Sequence, residues 1–197
     1  MWSAAILAGG QASRFGRRDK GALAVDGRSI LDRQMAELSQ LTGDILIVGG
    51  LHVHPSPHPA RVVADRVPGC GPLGGLHTAL SEATGDAIIV IACDMPYVSA
   101  PFLAHLLSLT HDADAAVPRT ERGYHPLCAA YTPACLAPAA ARLADRRLKM
   151  IDLFEDVRVR VVTTEEIDAF GNHDRLLANV NTPAEYGGLD AFQGHRR

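Results

Sequence analysis

The chain has 197 residues, 47% of them hydrophobic and 21% charged, with a formal net charge of −3. That length and balance suit a single globular domain over residues 1–197 with a sizeable core. No basic stripe speaks for a nucleic acid held by bulk electrostatics, and no apolar run approaches the length needed to span a membrane.

Strands and helices alternate along the sequence. Ser3 to Ala8 reads as a buried strand, because its apolar residues are contiguous rather than alternating. It runs into Gly9-Gly10, then Arg14, Gly16 and Lys20. Positions without a side chain let the backbone approach a ligand closely, and successive N–H groups can form an anion-binding concavity. Arg14 and Lys20 add positive charge where a polyphosphate would lie. The loop lacks both the G-K-[S/T] ending of a Walker loop and the G-x-G-x-x-G of a dinucleotide fold. Its alternative is an ordinary strand-to-helix turn with incidental basic residues.

After the turn Asp26-Gly27, Ser29-Ile30-Leu31-Asp32 approximates a capping box, with Ile30, Leu31, Met35 and Leu38 along one helical face. Asp44 to Val48 and Arg61 to Ala64 read as the second and third strands, with the Pro- and His-rich Leu51 to Pro59 as a mobile loop between them. A helix from Gly75 to Ala83 precedes the most hydrophobic strand, Ala87 to Ala92, and Pro101 begins another helix through Leu109. Weaker strands follow at Ala113–Val117, Leu127–Tyr131 and Val157–Val162, with a helix over Cys135 to Ala144 and a final one starting near Pro183. Such alternation predicts a three-layer α/β/α sandwich with a mainly parallel sheet and a site at the carboxyl ends of its strands.

A second informative stretch is Ala92-Cys93-Asp94-Met95-Pro96. A carboxylate where a buried strand emerges can hold Mg²⁺ opposite a phosphate loop, because that ion takes one or two carboxylates plus phosphate oxygens and water. Capping the turn before Pro96 is the simpler role for Asp94. The cysteines Cys70, Cys93, Cys128 and Cys135 form no C-x-x-C pair and no zinc spacing, which suits reduced thiols in the cytoplasm. No basic region precedes the first apolar residues, which argues against a signal peptide. His52, His54 and His58 have no nearby carboxylate or cysteine to complete a metal site and read as surface histidines.

Four segments carry a resemblance: Leu7-Ala8-Gly9-Gly10 with Arg14, Gly16 and Asp19-Lys20-Gly21; Asp65 with Gly71-Pro72-Leu73-Gly74-Gly75; Cys93-Asp94-Met95-Pro96; and Asn179-Val180-Asn181-Thr182-Pro183. In this order the chain resembles the molybdenum cofactor guanylyltransferases, nucleotidyltransferases that join GMP to molybdopterin and release pyrophosphate. The resemblance implies a Rossmann-like mixed sheet of the nucleotide-diphospho-sugar transferase type. It implies GTP and molybdopterin as substrates, Mg²⁺ as cofactor, and molybdoenzymes or cofactor-delivery proteins as recipients.

Residue by residue, Leu7, Ala8, Gly9 and Gly10 would bind the nucleotide, with backbone groups on the guanine edge. Arg14 and Lys20 would grip the triphosphate, Asp65 would help hold the nucleoside, and Asp94 would ligate the metal. Asn179 or Asn181 would complete the metal site or orient the pterin, or serve only as a capped turn before Pro183. Arg146 and Arg147 are candidates for the acceptor's phosphate, or a solvated helix end. Tyr124-His125-Pro126 could line the pterin pocket or simply start a strand.

The chain departs from the family where an asparagine often follows the second strand, a place taken here by Gly49-Gly50. Three readings remain: guanylyl transfer to molybdopterin; cytidylyl transfer to molybdopterin, or nucleotidyl transfer to another phosphorylated acceptor; and a non-catalytic nucleotide-binding adaptor. Gly10 favours the first over the second, and the combination of Arg14, Lys20 and Asp94 argues against the third.

Overall fold

A computed structural model of the protein describes residues 1–8, 24–25, 27–49 and 58–180. Strand β1 (Trp2–Leu7) leads to a short ribbon, β2 (Ala24–Val25) with β3 (Arg28–Ser29), then helix α1 (Ile30–Leu38) and strands β4 (Ile45–Val48) and β5 (Arg61–Val63). Next come α2 (Gly71–Glu82), β6 (Ala87–Ala92), α3 (Ala100–Ser108), β7 (Ala115–Thr120), β8 (Gly123–Tyr124) and β9 (Cys128–Tyr131). The described chain closes with α4 (Leu136–Ala144), β10 (Val159–Val162), α5 (Thr164–Asp168) and α6 (His173–Leu176).

The main sheet has the order β10-β7-β9-β6-β1-β4-β5, with β8 attached to β7. β1 is parallel to both β4 and β6, whereas β9 is antiparallel to β6 and β7. Contiguous apolar strands demand cover on both faces. Ala4, Ile6, Ile45, Ile47, Ile89 and Ile91 pack with Met35 and Leu38 of α1 and with Phe102, Leu103 and Leu106 of α3. The alternate residues Ala5, Leu7, Leu46, Val48, Ile88 and Val90 pack with Leu73, Leu76 and Ala79 of α2 and with Ala139 and Leu143 of α4. The three-layer α/β/α sandwich with a mixed, mostly parallel sheet is therefore present.

Most element boundaries move by one to three residues from those expected, and some differences are instructive. Helix α2 begins at Gly71 rather than Gly75. Pro72 lies in its first turn, where a missing N–H costs nothing. Strand β7 continues to Thr120 because β8 folds back on it, pairing Arg119 with Tyr124. On α1, Ser29 caps as expected by accepting from the Asp32 N–H, but the buried residues are Ile30, Gln34, Met35 and Leu38, with Gln34 rather than Leu31 fully enclosed. The short helices α5 and α6 were not anticipated. The helix expected near Pro183 and most of the loop from Leu51 to Pro59 lie outside the described residues.

At the amino ends of the parallel strands, Asp44 ties the layers together. Its Oδ2 accepts from Ser3 Oγ at 2.6 Å and from the Thr84 N–H at 3.0 Å, while Oδ1 accepts from Arg61 Nη2 at 2.7 Å. Partial burial alone would raise its pKa, but the bonds from Ser3, Arg61 and Thr84 outweigh that and hold the carboxyl well below the usual carboxylate range. The stabilisation is complete above about pH 4, the ordinary carboxylate value, and is lost as pH falls through the depressed one. Asp44→Asn is expected to destabilise the fold by about 1–3 kcal/mol at pH 7. The difference between denaturant melts of the two proteins should shrink progressively as pH falls below about 4 and close only near the depressed value, and a difference constant with pH would contradict this account.

Candidate active site

The carboxyl ends of β1, β4 and β6 lie side by side and bring the sequence motifs together. The Cys93 N–H donates to Leu7 O at 3.3 Å, and the Ala8 N–H to Val48 O at 2.9 Å. Leu7 and Ala8 thus sit between the Asp94 segment and the end of the second parallel strand. Leu7 is buried, and its side chain lies against Gly75 of α2, where an added Cβ would be 3.2 Å from Leu7 Cδ1. At Gly74 a Cβ would fall 2.8 Å from the backbone oxygen Val67 O, so Gly74 is required for α2 to seat against the segment after β5, whereas Gly75 gives the Leu7 side chain room for close approach.

Asp65 follows β5 and is half-buried. Its Oδ1 accepts from the Val67 N–H at 3.0 Å and from Thr78 Oγ1 at 3.1 Å. Thr78, fully buried on α2, also accepts from the Arg66 N–H. One oxygen of Asp65 is thereby engaged in shaping the turn into α2.

Asp94 lies in a tight turn at the end of β6, closed by the Met95 N–H donating to Ala92 O. Gln34 Nε2 donates to Ala92 O at 2.7 Å and to Met95 O at 3.0 Å, spanning the same turn from α1. From the opposite direction the Val180 N–H donates to Asp94 O at 2.8 Å. That bond places exposed Asn179 beside the Asp94 segment, although the two motifs are far apart in sequence. Val180 itself packs with Val25 and Ile30 in a small apolar cluster under Tyr97. The Arg175 and Arg33 guanidinium carbons lie 4.4 and 5.9 Å from the Tyr97 ring centroid.

On the other flank, the Ala92 N–H donates to Leu127 O, so the β8–β9 connection adjoins the same edge. His125 there pairs through Nε2 with Thr120 Oγ1 at 2.9 Å. Burial, then the positive charge of Arg122 and His173, push its pKa below the usual histidine value, which keeps the ring neutral at pH 7. The Tyr124 ring meets Phe154 edge-on and carries Arg119 over its face.

Arg146 and Arg147 follow α4 and are exposed, and Arg146 has a left-handed φ of 59°. Arg147 faces Glu155 at 3.5 Å, sharing that carboxylate with buried Arg142, which also pairs with Asp156. Gly9, Gly10, Arg14, Lys20 and Asn181 lie outside the described residues, as do His52 and His54. Gly49, at the position of the departure noted above, has φ 77°, a conformation that glycine and asparagine both adopt.

The sequence reading missed Gln34, Thr78 and Tyr97. The signal for Gln34 was available: it interrupts the apolar stripe Ile30–Gln34–Leu38 at helical spacing.

Residues 4–160 match the family model described as a MobA-like NTP transferase domain. A probable molybdenum cofactor guanylyltransferase of Pelotomaculum thermopropionicum is 33% identical over 180 residues, covering 91% of this chain and 87% of the relative. A molybdenum cofactor guanylyltransferase of Desulfosudis oleivorans is 28% identical over 91% of this chain and 90% of its own length. Among solved structures, molybdopterin-guanine dinucleotide biosynthesis protein A of Archaeoglobus fulgidus superposes with a TM-score of 0.78 at 22% identity, covering 100% of both chains. The 2-C-methyl-D-erythritol 4-phosphate cytidylyltransferase of Thermus thermophilus gives 0.70 at 17% identity, covering 98% of each. Among the described residues no helix is long and apolar enough to cross a membrane.

Proposed function

The chain belongs to the MobA-like NTP transferase family, and from that premise we propose that it transfers GMP from GTP to the terminal phosphate of molybdopterin, releasing pyrophosphate. The observation that carries this reading furthest is the bond from Val180 N–H to Asp94 O. It draws Asn179-Val180 and the Cys-Asp-Met-Pro segment to the edge where the strand bearing Leu7 and Ala8 ends. The whole of residues 1–197 is proposed to act as one nucleotidyltransferase domain.

In this proposal the backbone of Leu7, Ala8, Gly9 and Gly10 reads the guanine edge, and Asp65 helps hold the nucleoside. Arg14 and Lys20 hold the triphosphate and meet the charge that grows on the α-phosphate and the departing pyrophosphate. The acceptor phosphate is already a nucleophile at pH 7, so no general base is required, and positioning with charge neutralisation supplies the catalysis. A neutral His125 is consistent with that.

A carboxylate at the end of a buried strand, with Asn179 brought beside its turn by the Val180 bond, suits Mg²⁺, which takes its remaining ligands from phosphates and water. Asp94, with Asn179 or Asn181, would hold it. When bound, the ion supplies Lewis-acid neutralisation of phosphate charge. Arg146 and Arg147 are proposed to take the acceptor's phosphate. The exposed pair of Arg147 with Glu155 is weak enough for a phosphate to displace. The product would pass to molybdoenzymes or delivery proteins.

Pyrophosphate release from each of GTP, CTP, ATP and UTP, with and without molybdopterin, tests the proposal. Release from GTP that depends on molybdopterin is the expected result. Release from CTP instead would establish the cytidylyl alternative, and nucleotide binding without release would establish an adaptor.

A further inference from the structure

We propose that Gln34 is a positioning residue that holds the Asp94 carboxylate in its metal-binding place. The inference rests on the reading of Asp94 as a metal ligand. Gln34 sits on α1 between Ile30 and Leu38 on a face that otherwise buries apolar side chains, and it is fully buried itself. Its Nε2 makes both available bonds to the Asp94 turn, donating to Ala92 O and Met95 O, the two carbonyls that bracket Cys93-Asp94. The reversed amide would place Oε1 against two carbonyl oxygens, so the hydrogen-bond network dictates which atom faces the turn.

Stability alone explains this residue poorly. Gln34 Oε1 is buried and finds no hydrogen-bond partner among the described residues, so half of the amide is carried at a cost. What the amide supplies is geometry. Ala92 O already closes the turn by accepting from the Met95 N–H at a long 3.3 Å, and Gln34 locks that loose turn from the α1 side. With the Val180 N–H on Asp94 O, the backbone of Asp94 is then held from two directions. A metal-ligating carboxylate whose backbone is pinned retains its orientation between turnovers, as hydrogen-bonded supports do at metal centres generally.

The test replaces Gln34 with methionine, which has similar length and volume but no donor. Mn²⁺ affinity is measured by electron paramagnetic resonance in the presence of a non-hydrolysable GTP analogue, for wild type, Q34M, D94N and the double variant. Mn²⁺ binding in Q34M is expected to weaken about 10- to 100-fold. Affinity for the analogue without metal should stay unchanged, and amide exchange at Cys93 to Met95 should quicken. In the double variant Q34M should add nothing to the effect of D94N, because it acts through that carboxylate. Weakening by D94N but not by Q34M, or additive losses in the double variant, would overturn the inference alone. Mn²⁺ affinity unchanged in D94N would overturn the metal reading of Asp94 and the inference with it.

Discussion

Asp94→Ala is expected to lower kcat for guanylyl transfer by roughly 100- to 10,000-fold, about 3–5 kcal/mol of barrier, while leaving the fold intact. The reasoning separates the carboxylate from the turn that carries it. The turn is held by Met95 N–H to Ala92 O, by Gln34 Nε2 to two carbonyls and by Val180 N–H to Asp94 O, all of which survive removal of the side chain. The melting temperature should therefore move by no more than a few degrees, and the circular dichroism spectrum should not change. Asp94→Asn retains one oxygen ligand without its charge and should fall between the two. Single-turnover assays at saturating GTP and varied Mg²⁺ check this, and full turnover in the alanine variant would remove Asp94 from the chemistry.

Lys20→Ala is expected to reduce kcat by about 100-fold or more, with a smaller rise in KM for GTP. An ammonium group placed at the α-phosphate and leaving pyrophosphate meets more charge in the transition state than in the bound substrate, and only that difference accelerates the step. A rise in KM at constant kcat would instead assign Lys20 to uniform binding of the triphosphate. Arg14→Lys should also be damaging, since a point charge does not reproduce the planar, two-pronged guanidinium. Steady-state kinetics with GTP varied at saturating molybdopterin separate these outcomes. Calorimetry with GTP alone reports the ground state.

These two substitutions test residues that short-range sequence patterns single out, for a definable reason. The glycine loop with Arg14 and Lys20, and the carboxylate at the end of the most hydrophobic strand, are short-range patterns whose spacing reflects local backbone requirements. The contiguous apolar runs Ala4 to Leu7, Ile45 to Val48 and Ala87 to Ala92 reported strands covered on both faces, and that is how they pack. The family resemblance rested on the same short segments, with Gly74 and Gly75 now accounted for by the contact of α2 with Leu7 and Val67.

What sequence could not convey is anything that depends on which strands become neighbours. The four-residue run Cys128–Tyr131 is buried and apolar whichever way it runs, so its antiparallel insertion between β6 and β7 is a property of the assembled sheet. The face of α1 looked apolar by period, but Gln34 finds its two carbonyl acceptors only because β6 lies beside β1 within reach of that helix. The closing asparagine segment reads locally as a turn, and a single backbone bond from Val180 to Asp94 brings Asn179-Val180 beside the Asp94 turn. Composition, periodicity and motif spacing thus determined by themselves the strand–helix alternation and the layered architecture, and singled out the residues proposed for chemistry on a nucleotide. The tertiary structure alone decided how the Asp94 turn is braced, because hydrogen bonds between residues distant along the chain exist only once the strand order has brought them together.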